Sequence, residues 1–131
     1  MTDFNTPHAI IVDDEQSYLD LLAVILEEHL DCPVSTFVRA SDALAAMRTL
    51  PVGIIVTDYY MPDIDGIEFL RRSAKAKPGV PAIMITGHAD AISQEQRDSL
   101  ENLRAVLAKP FRAQVLADSI RQFWPAAGGQ A

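Results

Sequence analysis

Cysteine is nearly absent from this chain. Cys32 stands alone, so no internal disulfide can staple the fold, and a reducing compartment such as the cytoplasm is the expected setting. Basic residues are scarce as well, with 11 Lys and Arg against 18 Asp and Glu and a formal net charge of −7. A nucleic-acid surface needs a basic patch to meet phosphates, so direct DNA or RNA binding is not expected. No apolar stretch approaches the roughly 20 residues that cross a bilayer. Even Leu21 to Leu26 is flanked by Asp20 and by Glu27-Glu28. No charged segment followed by an apolar run opens the chain, so neither a membrane span nor a secretion leader is expected.

What is present is enough for one core: 131 residues, of which 49% are hydrophobic. Short β-rich runs alternate with stretches of helical period. His8 to Val12 predicts a strand, and Glu15 to about Leu30 a helix on which Tyr18, Leu22, Ile25 and Leu26 repeat at helical spacing. Pro33 to Val38 predicts a second strand. Ser41 or Asp42 can then cap a helix carrying Leu44, Met47 and Leu50 before Pro51. Gly53 to Thr57 is a third strand, followed by a loop with Pro62 and Gly66 and a short helix bearing Ile67, Phe69 and Leu70. Val80 to Ile85 is a fourth strand. The segment from Asp90 to Leu100 has only Ala91, Ile92 and Leu100 as apolar anchors, which predicts the least firmly held helix. Leu103 to Ala108 is a fifth strand, and Val115, Leu116, Ile120 and Phe123 give the last helix its buried stripe before Pro125. Five such units imply a doubly wound α/β domain, a parallel sheet with helices on both faces. Residues 8–124 form that domain, 1–7 an N-terminal extension and 125–131 a flexible tail.

Strands of a parallel sheet end at one edge, and ligands bind there, beside the point where strand order reverses. In this chain the strand ends carry chemistry: Asp13 and Asp14 after the first, Asp58 after the third, Thr86 after the fourth, Lys109 after the fifth. Each alone has an ordinary explanation. Acids suit a helix N-terminus, a threonine forms turns, and a Lys-Pro pair suits a solvated loop. Together they make an acidic pocket whose carboxylates cannot all stay ionised without a cation. Mg²⁺ fits, because it takes oxygen ligands and keeps several waters, leaving room for a phosphoryl group. Asp58 is then a carboxylate nucleophile able to form an aspartyl phosphate, and Lys109 a compact positive charge within reach of phosphoryl oxygens. Two decoys fail. Asp63-x-Asp65-Gly66 has the look of a calcium loop, but the loop's first and twelfth positions fall on Met61 and Arg72. A phosphatase of the haloacid-dehalogenase type needs an apolar strand running straight into its first Asp, and Met61-Pro62 intervenes.

The segments Ile11-Val12-Asp13-Asp14-Glu15, Val56-Thr57-Asp58-Tyr59-Tyr60-Met61-Pro62-Asp63-Ile64-Asp65-Gly66, Met84-Ile85-Thr86-Gly87 and Ala108-Lys109-Pro110-Phe111 together resemble the signature of response-regulator receiver domains. The resemblance implies a flavodoxin-like sheet of order 2-1-3-4-5 and phosphorylation of Asp58 by a sensor histidine kinase or histidine phosphotransfer protein. It also implies Mg²⁺ held by Asp14, Asp58 and the Tyr60 carbonyl, with Asp13 assisting through water. Thr86 and Lys109 would contact the phosphoryl group. A downstream protein would read the face of helix four, strand five and helix five, and the phosphorylated form could pair as a homodimer. Tyr60 and His88 occupy positions that the resemblance marks as modulators of aspartyl-phosphate lifetime. One feature departs from the pattern: where many receivers carry an aromatic switch residue three positions before the lysine, this chain has Val106. The expectation is a receiver that stands alone and switches on phosphorylation. An interaction module that ignores phosphorylation is the rival, and a small metal-dependent phosphohydrolase is disfavoured because no separate base is present to activate water.

Overall fold

The computed structural model describes residues 6–87 and 92–124. Its five strands are β1 (His8–Val12), β2 (Val34–Phe37), β3 (Val52–Asp58), β4 (Ala82–Thr86) and β5 (Leu103–Ala108). All pair in parallel, in the order β2-β1-β3-β4-β5. The helices are α1 (Gln16–His29), α2 (Ala40–Ala46), α3 (Gly66–Ala76), α4 (Gln94–Ser99) and α5 (Ala113–Phe123). The doubly wound sheet expected from the alternation is observed, in the flavodoxin-like order that the family resemblance implies.

Burial explains the order. The three inner strands run almost wholly apolar because helices cover both of their faces. Ile11, Ile54, Val56, Ile83 and Ile85 face α1 and α5, packing on Leu19, Leu22, Leu26, Leu116 and Ile120. Ile10, Val12, Ile55 and Met84 face the other way, onto Ala43, Met47, Phe69 and Leu70 of α2 and α3. Edge strand β2 is only partly buried throughout. Gly53 serves that packing, since a Cβ there would run into the Trp124 ring.

Several local expectations need correction. Leu19 rather than Tyr18 or Ile25 shares the fully buried stripe of α1 with Leu22 and Leu26, and Tyr18 and Ile25 lie partly buried on its flanks. Val115 is exposed, and Ala117 takes its expected place beside Leu116 and Ile120. Helix α2 stops at Ala46, so Met47, which is buried, caps its end and Leu50 lies beyond it; Leu44 and Leu50 are only partly buried. Neither Ser41 nor Asp42 caps α2. The carboxylate of Asp63, 22 residues on, accepts from the Ser41 amide at 2.8 Å and from the Ala40 amide at 3.3 Å. No local pattern could show a cap supplied from another loop.

Helix α4 is shorter than expected and buries none of its six residues. A capping box starts it: Ser93 Oγ accepts from the Gln96 amide, and the Gln96 side chain accepts from the Ser93 amide. Ile92 and Leu100, just outside it, are its buried anchors. His88, Asp90, Ala91 and the tail from Pro125 lie outside the described residues. No described helix is long and apolar enough to cross a membrane.

Candidate functional site

Strand register brings the site together. Val12 lies opposite Thr57, so Asp13 comes one step further, level with Asp58. Asp58 lies opposite Ile85, which places Thr86 at the same edge, and Thr86 lies opposite Ala108, so Lys109 follows. The Lys109 amide donates to the Thr86 carbonyl at 2.8 Å, holding the end of β5 against β4.

Carboxylate oxygens of Asp13, Asp14 and Asp58 all lie within 4.8 Å of one another. Asp13 and Asp58 are buried, at 2% and 8% exposure, while Asp14 is open to water. The Lys109 ammonium donates to Asp13 Oδ2 and Asp58 Oδ2, both at 3.1 Å. Backbone amides fix the remaining oxygens: Glu15 N–H donates to Asp13 Oδ1 at 3.0 Å and Tyr59 N–H to Asp58 Oδ1 at 2.7 Å. One ammonium cannot balance three carboxylates. Burial pushes the Asp58 carboxyl above its usual range, with Asp13 adding to the effect and Lys109 opposing it. For Lys109 burial works against the charged form, but the hydrogen bonds and charges of Asp58 and Asp13 outweigh it and raise the ammonium above its ordinary value. The group therefore holds surplus negative charge at a half-open edge, with all-oxygen donors that suit a hard divalent cation.

Gly66 holds the start of α3 against the end of β3. Its φ is not positive; among the described glycines only Gly79 is in the left-handed region. Close approach requires it instead. A Cβ at residue 66 would stand 2.6 Å from the Asp58 carbonyl oxygen and 3.0 Å from Tyr59 Cα, and the Gly66 amide donates to the Tyr59 carbonyl at 2.7 Å. Asp65 caps the helix behind it, accepting from the Glu68 amide at 2.9 Å. Asp63 clamps the same loop to α2, and hydrogen bonds from Ser41 and from the Ile64 amide hold its carboxyl well below the usual range although slight burial opposes them.

Thr86 is fully buried at the end of β4. Tyr60 is exposed, its ring meeting Tyr59 edge-on at 4.7 Å. Val106 is partly buried opposite Met84, and it lines an open cleft of about 250 Å³ with Gln94, Arg97 and Asp98 of α4. Two participants escaped sequence reasoning. Asp63 stands in a segment with the look of a calcium loop, and Tyr18 on the apolar stripe expected for the first helix. The signal for Tyr18 was its place in the first turn of the helix that follows Asp13-Asp14, since that turn must border the strand-end pocket.

A family profile described as the response regulator receiver domain matches residues 9–121. The chain belongs to that family. The transcriptional regulatory protein FixJ of Rhizobium meliloti (strain 1021) is 34% identical over 125 residues, covering 93% of this chain and 57% of FixJ. The response regulator receiver protein CpdR of Brucella abortus (strain 2308) is 28% identical, covering 90% of this chain and 97% of CpdR. Among solved structures, a CheY-like receiver domain protein from Methanospirillum hungatei JF-1 superposes with a TM-score of 0.77 at 28% identity, covering 89% of this chain and 92% of that one. The chain spans only 25% to 62% of the curated regulators DctD and FixJ. An acidic pocket is where receiver domains bind Mg²⁺, and Asp13, Asp14 and Asp58 provide one here.

Proposed function

We propose that this receiver is a phosphorylation-dependent switch: Asp58 accepts a phosphoryl group from a phosphohistidine of a sensor kinase or phosphotransfer protein, and the product binds a downstream protein differently. The observation that carries this reading is the Lys109 ammonium at 3.1 Å from both buried carboxylates inside the acidic cluster. Asp58 Oδ2 forms the new O–P bond as the donor's P–N bond breaks, and the released electron pair returns to the imidazole nitrogen. Lys109 neutralises charge on the transferring oxygens, and the Thr86 hydroxyl donates to one of them once transfer is complete. Asp14, Asp58 and the Tyr60 carbonyl would hold Mg²⁺, with Asp13 assisting through water, and the cation would supply further charge neutralisation. The reaction changes the receiver itself and turns over no separate substrate beyond its own phosphorylation and dephosphorylation.

The new group brings negative charge and strong acceptors that one arrangement of Thr86 and the following loop satisfies best, so phosphorylation shifts the population of that arrangement. The surface that reads the shift is α4, β5 and α5, the region with the least buried helix. A protein partner, or a second copy of the phosphorylated chain, binds there. The cytoplasm, where Cys32 stays reduced, is the compartment this reading assigns.

Acetyl phosphate with Mg²⁺, followed by intact mass, tests the proposal. The expected result is one added phosphoryl group, not formed when EDTA is present from the start and absent from Asp58→Ala. A folded wild-type protein that takes no label, or a labelled Asp58→Ala at the wild-type level, overturns it.

A further inference from the structure

Lysine carries its charge on a long flexible stem, so an ammonium aimed at a reaction centre has to be held there. Lys109 is held from two sides. On one side are Asp13 and Asp58; on the other the Tyr18 ring, whose centroid lies 5.3 Å from Nζ, inside the range in which the negative face of an aromatic ring attracts a cation. The two sides differ in what happens during phosphorylation. Both carboxylates would change partners on phosphorylation, because Asp58 becomes an acyl phosphate and Asp13 would assist in holding a bound cation. The ring keeps its charge distribution throughout.

Tyr18 is itself anchored. It projects from the first turn of α1, is half-buried, and packs against the cluster formed by α1, α5 and the sheet. It also lines a cleft of about 390 Å³ with Glu15, Lys109, Pro110 and Phe111, so ring and ammonium share one wall of the pocket edge. Burial raises the Tyr18 phenol above its ordinary value, and although the Lys109 charge opposes this, the ring stays neutral at physiological pH.

We propose that Tyr18 is a positioning residue for phosphoryl transfer, its ring face keeping the Lys109 ammonium directed at Asp58 while the carboxylates exchange partners. The role rests on the function proposed above, and it acts through Lys109 rather than by touching the phosphoryl group. A cation–ring contact at a half-buried site corresponds to about three- to tenfold in rate.

The test compares initial rates of labelling by acetyl phosphate in wild type, Tyr18→Phe, Tyr18→Leu, and Tyr18→Phe in which the introduced ring carries three fluorines. Fluorination keeps the ring's shape and removes the negative charge of its face, a change that packing alone would not register. Tyr18→Phe is expected within about twofold of wild type, with Tyr18→Leu and the fluorinated ring slower by about three- to tenfold. Equal rates for the fluorinated and unfluorinated rings overturn the proposal, and that pair still decides if Tyr18→Leu fails to fold. A second readout needs no labelling. Ring-current shifts of the Lys109 ε-methylene protons are expected in wild type and should vanish in Tyr18→Leu, and their absence from wild type also overturns the proposal. Wild type that shows the ring-current shift but takes no label overturns the phosphoacceptor reading, and with it the role of Tyr18 in transfer.

Discussion

Helices α3 and α4 follow the neighbouring strands β3 and β4, yet they are held in opposite ways. Helix α3 buries Gly66, Ile67, Phe69, Leu70 and Ser73, and its first residue is pressed against the backbone of Asp58. Helix α4 buries nothing of its own and depends on a capping box and two flanking anchors. Local opening costs least where few apolar contacts are lost. One strand end thus holds Asp58 firmly, while the helix after the next strand has little burial to hold it. The phosphorylation-dependent switch proposed above would use both properties.

The largest effect should come from breaking the rigid side. Gly66→Ala forces a Cβ to 2.6 Å from the Asp58 carbonyl, where the obstacle is backbone and cannot swing away. Overpacking of this kind costs about 1–3 kcal/mol, to be read by urea denaturation, with labelling at Asp58 reduced in the protein that remains folded. Asp63→Ala comes next. Losing a cap that serves two amides of α2 should cost about 1 kcal/mol. Because the Asp63 carboxyl is held below its ordinary value of 3.8, the stabilisation is complete above that pH and fades as pH falls further. The difference in melting temperature between wild type and Asp63→Ala should therefore shrink in acid.

Asp58→Asn should raise the melting temperature by a few degrees in EDTA at neutral pH. Burial lifts the Asp58 carboxyl, so its ionised form opposes folding above the ordinary value of 3.8 and the gain should disappear below it. Added Mg²⁺ should stabilise wild type more than Asp58→Asn, since a cation that binds only the folded state raises its stability. The smallest global effect is expected for Ser93→Ala. It removes the capping box, so hydrogen exchange should quicken in α4 while the overall melting temperature moves little. A large drop in melting temperature would mean that α4 is more firmly tied to the core than its burial indicates.

The sheet and the strand-end residues were legible in the sequence because both follow from period and position. Inner strands of a parallel sheet are apolar on both faces, and their ends must converge, so Asp13, Asp14, Asp58, Thr86 and Lys109 could be placed at one edge before any coordinates. What escaped was contact between segments that share no period. Asp63 capping α2 spans 22 residues to Ser41, and the ring of Tyr18 meets an ammonium donated by the far end of the chain. Gly66 shows a third limit: the sequence marks a glycine, but only packing tells close approach from a left-handed turn. The boundary of α4 was misjudged for a related reason, since its apolar anchors lie outside the helix they hold.

Backbone hydrogen exchange of the Mg²⁺-loaded protein, with and without the phosphoryl mimic beryllofluoride, tests the central claim most directly. Altered protection is expected in α4 and β5, beside the cleft that Val106 lines, and unchanged protection in α3. Indistinguishable exchange in α4 and β5 on a site shown to have bound the mimic would contradict it, and would favour a module that binds its partner without regard to phosphorylation.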